Sequence, residues 1–330
     1  MLRTILTEKW GLLHPVLNAP MANIAHGRLA KAVSLAGGLG MLGIGRDTPE
    51  FIEREVALIR QETPEIKFGI GLLGWAIKNE PALFEAALAA RPFLISISAG
   101  EISPYVQRLH EAGILVATQV HSREEALAAQ EAGVDLIAAQ GTEAGGHTNK
   151  QVSTLPLLQV VLEAVQVPVL ASGGVASAPG MAAVLAAGAA GIWSGTAFLA
   201  CPEANVVDSA RQRVLQAKET DTVLTAVYDR ANGLPWPESI PGRALRNDFT
   251  NRWDGHEKEL VQDQAALDEL KQATAGKDYR IAVIFAGEAV GLVNRSRGAA
   301  EVVQGLSGEA EQLLRWQLAS LLGEKPEIDK

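Results

Sequence analysis

Residues 111–119 read EAGILVATQ, and residues 131–140 read EAGVDLIAAQ. Each begins with a Glu-Ala-Gly that closes a helix-forming segment, because glycine past the last helical residue is a common stop. Each then runs directly into an unbroken apolar stretch. A strand with one face in water alternates apolar and polar residues, so a continuous run marks a strand covered on both faces. The repeating unit is therefore helix, glycine stop, buried strand. A leucine-rich repeat could share the period, but its L-x-x-L-x-L and Asn pattern is missing.

The same unit extends in both directions. Apolar runs at 15–21 (PVLNAPM), 38–45 (GLGMLGIG), 68–74 (FGIGLLG), 93–100 (FLISISAG), 114–120, 134–141, 168–174 (PVLASGG) and 190–196 (AGIWSGT) give eight expected strands. Segments of helical period lie between them, several opened by Ser or Thr and closed by glycine. Eight such units predict an α/β fold, a (β/α)8 TIM barrel, with a doubly wound open sheet as the alternative. After about residue 220 the character changes. LPWPESIPGRALRNDFTNRWDG (234–255) reads as irregular, and 257–274 and 298–322 read as helical. The expected division is a barrel over 1–219 and a smaller, mostly helical cap or flanking region over 220–330, its last helix packing back on the barrel.

The chain has 330 residues with 29 Lys+Arg against 38 Asp+Glu, a net charge of -9, which argues against a nucleic-acid partner. Its one cysteine, Cys201, excludes an intrachain disulfide and a cysteine-based zinc site. Together with an N-terminus lacking a signal-type pattern, this gives a cytoplasmic expectation. Residues 164–202 carry no charge and exceed a membrane span in length, but Pro168, Gly173, Gly174, Pro179, Gly180 and Gly188 break them into pieces too short to cross one. No membrane partner is expected.

In such a barrel the loops after the strands form the functional face. Four converge there: Pro20-Met21-Ala22-Asn23, Gln140 to Asn149 (QGTEAGGHTN), Ser172-Gly173-Gly174 and Ser194-Gly195-Thr196. The last two stand where barrels commonly hold phosphate. With no Lys or Arg in that stretch, backbone N–H groups and the hydroxyls of Ser172, Ser194 and Thr196 would have to bind it. Tight turns alone are the plainer reading of a single such loop; two after consecutive strands favour phosphate. Gly38-x-Gly40-x-x-Gly43 has dinucleotide-fingerprint spacing but follows a helix and forms a strand, the reverse of what that site needs. His147 can exchange a proton near neutral pH, although a lone loop histidine is also an ordinary surface residue. Glu143 reads as solvated, and Cys201 as packing.

Together, NAPMANIAHGRLAKAVSLAGGLGMLGIG, AAQGTEAGGHT, VPVLASGGVASAPGMAAVLAAGAAGIWSGTAFL, GRALRNDFTNRW and AGEAVGLVNRSRGAAEVV resemble the nitronate monooxygenase family, formerly nitropropane dioxygenases. These are FMN-dependent TIM barrels, related to flavin-dependent enoyl-ACP reductases. The resemblance implies FMN as cofactor. Gln140 and Gly145 would contact the flavin, Gly173 and Gly174 its phosphate, and Trp193, Ser194, Gly195 and Thr196 would complete that site. Pro20, Met21 and Ala22 would lie against the ring, and His147 matches the active-site histidine. Two places depart from the family pattern: Gly71 stands where a flavin-contacting asparagine is usual, and the opening motif carries Asn18 and Asn23. Because most flavin contacts are backbone, these departures bear on the substrate rather than on the flavin.

The expected function is an FMN-dependent oxidoreductase acting on a small molecule, in the first place a nitronate monooxygenase that converts alkyl nitronates with O2 to a carbonyl compound and nitrite. An NAD(P)H-dependent flavin reductase of an enoyl thioester or quinone is the alternative. A non-redox phosphosugar isomerase or lyase is a third. Nothing in the sequence sets the oligomeric state.

Overall fold

The computed structural model describes residues 2–323. All eight expected strands form: β1 (Val16–Asn18), β2 (Gly40–Gly43), β3 (Phe68–Leu73), β4 (Leu94–Ser98), β5 (Leu115–Val120) and β6 (Leu136–Gln140), then, beyond the short β7 (Gly146–His147), β8 (Val169–Ser172) and β9 (Gly191–Ser194). The eight long strands make one sheet in the order β1-β9-β8-β6-β5-β4-β3-β2. Every pairing in it is parallel. Helices fill the connections, so the sheet curls into a TIM barrel and the doubly wound alternative falls away.

The continuous apolar runs follow from this closure. Alternate residues of each strand point to opposite faces, and here both faces are dry. Leu17, Met41, Leu94, Ala117, Leu136, Ala138, Leu170 and Trp193 fill the interior, joined by Leu6 and Leu12 from the N-terminal segment. Their neighbours Val16, Leu42, Ile95, Val116, Ile137, Ala139, Val169, Ala171 and Ile192 face the helices. The Gly-x-Gly-x-x-Gly spacing is also a packing device: a Cβ on Gly40 would stand 1.7 Å from the Ala30 carbonyl oxygen, so the helix Gly27–Leu35 rests directly on the β2 backbone.

The seam between β1 and β2 is closed differently from the rest. One bridge, Leu17 to Leu39, joins the two strands, and the Asn18 side chain does the remaining work. Its Oδ1 accepts the Met41 N–H at 2.8 Å, and its Nδ2 donates to the Met41 carbonyl at 2.9 Å. Asn18 is fully buried, so these bonds stand in for missing ladder bonds where water cannot replace them. Asn18→Leu, near in size, leaves a buried N–H and C=O unsatisfied. It is expected to cost about 3 kcal/mol, read as a lower urea midpoint with an unchanged slope; an unaltered midpoint would remove Asn18 from the closure.

Beyond the barrel, β10 (Thr222–Thr225) and β11 (Gly242–Leu245) form a second antiparallel sheet with β7. The stretch 234–255 is therefore not irregular throughout: GRAL is a strand, because distant partners supply its pairing, and DFTNRW is a helix with Asn247 as its cap. The expected helix over 257–274 is two, Glu257–Leu260 and Gln264–Gly276, the second capped by Asp263. The helix Ala299–Leu321 runs through Gly305 and Gly308 and packs on the helices Ala178–Ala186 and Gly27–Leu35. Residues 324–330 of the C-terminal region lie outside the described part. Among the described residues, no helix is long and apolar enough to cross a membrane.

Candidate active site

His147 sits on β7, and β7 is where the two sheets meet. Its backbone pairs with Gly242 of β11, which fixes the histidine at the mouth of the barrel. Its Nε2 lies 2.9 Å from Oδ1 of Asp229, a carboxylate only 3% exposed in the helix Val227–Ala231. The imidazole stacks on Trp236 with centroids 3.6 Å apart and planes 6° from parallel. Phe285 leans on it at 5.5 Å, and Trp75 meets Trp236 edge-on at 6.2 Å. A carboxylate can only accept, so the proton between them sits on Nε2 and Nδ1 is the nitrogen left for a reacting group. Among the described residues, Nδ1 has no partner in the chain.

The other sequence-expected residues gather at the adjacent strand ends. Gln140 is in register with Ser172, and Ser172 with Trp193, so three neighbouring strands end together. Ser194 Oγ donates to the Val175 carbonyl at 2.9 Å, tying the two glycine-bearing loops to each other. Gly173 and Gly174 have φ of +98° and +70°, a conformation costly for any residue with a Cβ. Among the described residues, their N–H groups donate to nothing in the chain. Thr196 Oγ1 accepts the Gly287 N–H at 2.9 Å, so its hydroxyl hydrogen remains available. Gln140 Oε1 lies 2.8 Å from His121 Nε2.

Pro20, Met21 and Ala22 cross the strand ends. A Cβ on Gly71 would lie 2.3 Å from the Pro20 ring, so the departure at Gly71 makes room for the proline. The Met21 sulfur stands over Gly195 and the Ala22 methyl over Gly45. Trp193 contributes differently: its side chain lies in the barrel interior, and among the described residues its Nε1 has no partner. Gly145 backs onto Ala286 and Gly287 from the C-terminal part of the chain.

Glu143 is structural. Its Oε2 accepts the Thr154 N–H at 2.8 Å and the Thr154 hydroxyl at 2.9 Å, capping the helix Thr154–Ala164. Burial pushes the Cys201 thiol up to about 12, which leaves it inert packing. Sequence reasoning passed over Asp229, Phe285 and His121. Asp229 had no motif around it; only its place in an apolar helix (AVYD) could have drawn attention, since a buried carboxylate needs a partner.

A family model described as Nitronate monooxygenase matches residues 3–82 and 83–309. Among curated relatives, the (3aS,4S,5R,7aS)-5-hydroxy-7a-methyl-1-oxo-octahydro-1H-indene-4-carboxyl-CoA dehydrogenase of Rhodococcus jostii is 32% identical over 279 residues, 84% of this chain and 75% of that protein. Among solved structures, FabK from Thermotoga maritima superposes with a TM-score of 0.83 at 28% identity, covering 98% of this chain and 99% of its own. The nitroalkane oxidase of Streptomyces ansochromogenes superposes with a TM-score of 0.79 at 27% identity, covering 96% and 100%.

Proposed function

The chain belongs to the nitronate monooxygenase family of FMN-dependent oxidoreductases, and we propose that it oxidises alkyl nitronates with O2 to the carbonyl compound and nitrite. The observation that carries this reading is the pair His147–Asp229, 2.9 Å apart and walled by Trp236 and Phe285. A nitronate is a small anion with an apolar tail, and the pair offers it a hydrogen-bonding imidazole nitrogen against apolar rings. Protonated at Nδ1, His147 donates to a nitronate oxygen, and buried Asp229 balances the imidazolium charge. Neutral at Nδ1, it removes the α-proton of a nitroalkane and forms the same anion in place. The aromatic walls exclude water from that proton.

The residues fit FMN. The free N–H groups of Gly173 and Gly174 and the hydroxyls of Ser172 and Thr196 would hold its phosphate, a neutral donor set of the kind backbone anion sites use. The Ser194 hydroxyl, expected from the sequence to join them, donates its hydrogen to the Val175 carbonyl and braces the loop instead. Gly195 and the backbone around Trp193 would shape that corner, and Gln140, Gly145 and the seated Pro20-Met21-Ala22 segment would border the ring. Bound there, FMN supplies the electron acceptor for the substrate and the donor to O2. Flavin chemistry leaves no place for the non-redox phosphosugar reading.

A second reading, reduction or dehydrogenation of an acyl thioester with NAD(P)H as redox partner, draws on the 32% identity to a carboxyl-CoA dehydrogenase. A cavity of about 450 Å³ lined by Trp75, Lys78, Glu101 and Tyr105 adjoins the Trp75–Trp236 contact and offers room for a longer substrate. Two assays separate the readings. Oxygen uptake with propionate nitronate, and nitrite released with it, is the expected result. No uptake, together with rapid anaerobic bleaching by NADH or NADPH and reoxidation by an enoyl thioester, would replace the first reading with the second.

A further inference from the structure

The stretch 140–149 is held at both ends by one residue outside it. At its start, Gln140 Oε1 lies 2.8 Å from His121 Nε2. At its end, Asn149 Nδ2 donates to the His121 carbonyl at 3.3 Å. His121 follows β5 directly and is itself fixed. Its Nδ1 lies 3.3 Å from Glu125 Oε2, and its backbone N–H donates to that same oxygen at 2.6 Å. A carboxylate oxygen facing Nδ1 and an amide oxygen facing Nε2 can only accept, so this arrangement is one in which both ring nitrogens carry hydrogen. The Glu125 carboxyl is held below its ordinary value, first of all by the hydrogen bond from the His121 side chain. Among the described residues, Glu125 is the only charged side chain bonded to His121; Gln140 and Asn149 are neutral.

A carboxamide has two ends of opposite character, an acceptor oxygen and a donor nitrogen, and its partner decides which end faces where. With Oε1 engaged by His121, the Gln140 nitrogen points the other way, and among the described residues it donates to nothing in the chain. Gln140 is 6% exposed and ends a strand beside Ser172, at the corner assigned above to the flavin.

We propose that His121 is a positioning residue for the cofactor: by donating from Nε2 to Gln140 Oε1, it locks the carboxamide so that only N–H faces the flavin ring. The inference rests on the flavin reading of the site, though not on the nitronate as substrate. An N–H aimed at the ring stabilises the electron-rich reduced state, whereas an oxygen there opposes it. An amide free to turn would present both.

The test uses the full chain with FMN bound and reads the bound-flavin absorption spectrum, the FMN dissociation constant and the reduction midpoint. His121→Leu removes the donor and frees the amide; a shifted spectrum, a lower midpoint and about tenfold weaker FMN binding are expected. His121→Gln places a donor nitrogen at a similar reach and is expected to restore all three. Gln140→Glu keeps an acceptor for His121 but puts oxygen toward the ring, so it should reproduce the leucine variant and serves in its place should that variant not fold. Leucine and glutamine variants alike in all three readouts, or a Gln140→Glu protein indistinguishable from wild type, would overturn the proposal. A wild-type chain that binds no FMN would overturn the flavin reading and this inference together; FMN bound with one spectrum across the series would overturn the inference alone.

Discussion

Asp229→Asn is expected to separate the two activities proposed for His147 on related substrates. An asparagine of nearly the same shape can turn its amide nitrogen toward His147 Nε2, at the site where the carboxylate now stands 2.9 Å away. Nε2 then becomes an acceptor, and the single proton of the neutral ring moves to Nδ1. The ring can still donate to a nitronate oxygen but can no longer take a proton from carbon. It also loses the buried charge that balances an imidazolium. Oxidation of a neutral nitroalkane should therefore fall about 10³-fold, and oxidation of the preformed nitronate only about tenfold. His147→Ala should abolish that distinction by losing both roles. Initial rates of oxygen uptake with nitroethane and with ethyl nitronate, each at saturation, give the ratio. Equal losses on the two substrates would mean that Asp229 holds the ring in place and does not set its proton.

Much of the fold was legible because its signals are local. A strand buried on both faces must be apolar throughout, and a helix between two such strands must stop on a residue free to turn, so EAGILVATQ and EAGVDLIAAQ already contain the barrel unit. The glycines after β6, β8 and β9 pointed to one candidate face for the same reason. What stayed hidden depends on partners far along the chain. A two-residue strand such as β7 has no periodicity to read, and only β11, nearly a hundred residues later, makes it one. Asp229 looks like any helical acid until His147 is beside it. Asn18 stood out as a departure from the family's opening motif, yet its place at the β1–β2 seam appears only once Met41 is seen across the gap. Trp236 offered an aromatic ring without saying which ring it covers.

Gly145→Ala should place a damaging methyl between the loop and the C-terminal segment. The added Cβ would stand 2.5 Å from the Gly287 nitrogen and 2.7 Å from the Ala286 carbonyl carbon, both backbone atoms with no side-chain freedom to yield. The opposite face is equally close: a Cβ on Gly287 would lie 2.4 Å from the Glu143 carbonyl oxygen. Loop and C-terminal segment thus touch backbone to backbone, and two hydrogen bonds depend on that approach, Glu288 N–H to Glu143 O at 3.0 Å and Gly287 N–H to Thr196 Oγ1 at 2.9 Å. Overpacking of this kind costs about 1–3 kcal/mol, and each loosened buried bond adds about 1. A loss of about 3 kcal/mol in stability is expected. Because the same shift moves Gly145 and Thr196 on two sides of the proposed flavin site, FMN affinity should fall more than tenfold. Gly276→Ala is the matched control: it lies at the end of a helix with nothing near its would-be Cβ and should leave both quantities unchanged. Thermal melts and FMN fluorescence titrations of the pair decide the matter. If Gly145→Ala melts and binds FMN as Gly276→Ala does, the C-terminal segment does not brace the loop, and the barrel alone must hold His147 where Asp229 can reach it.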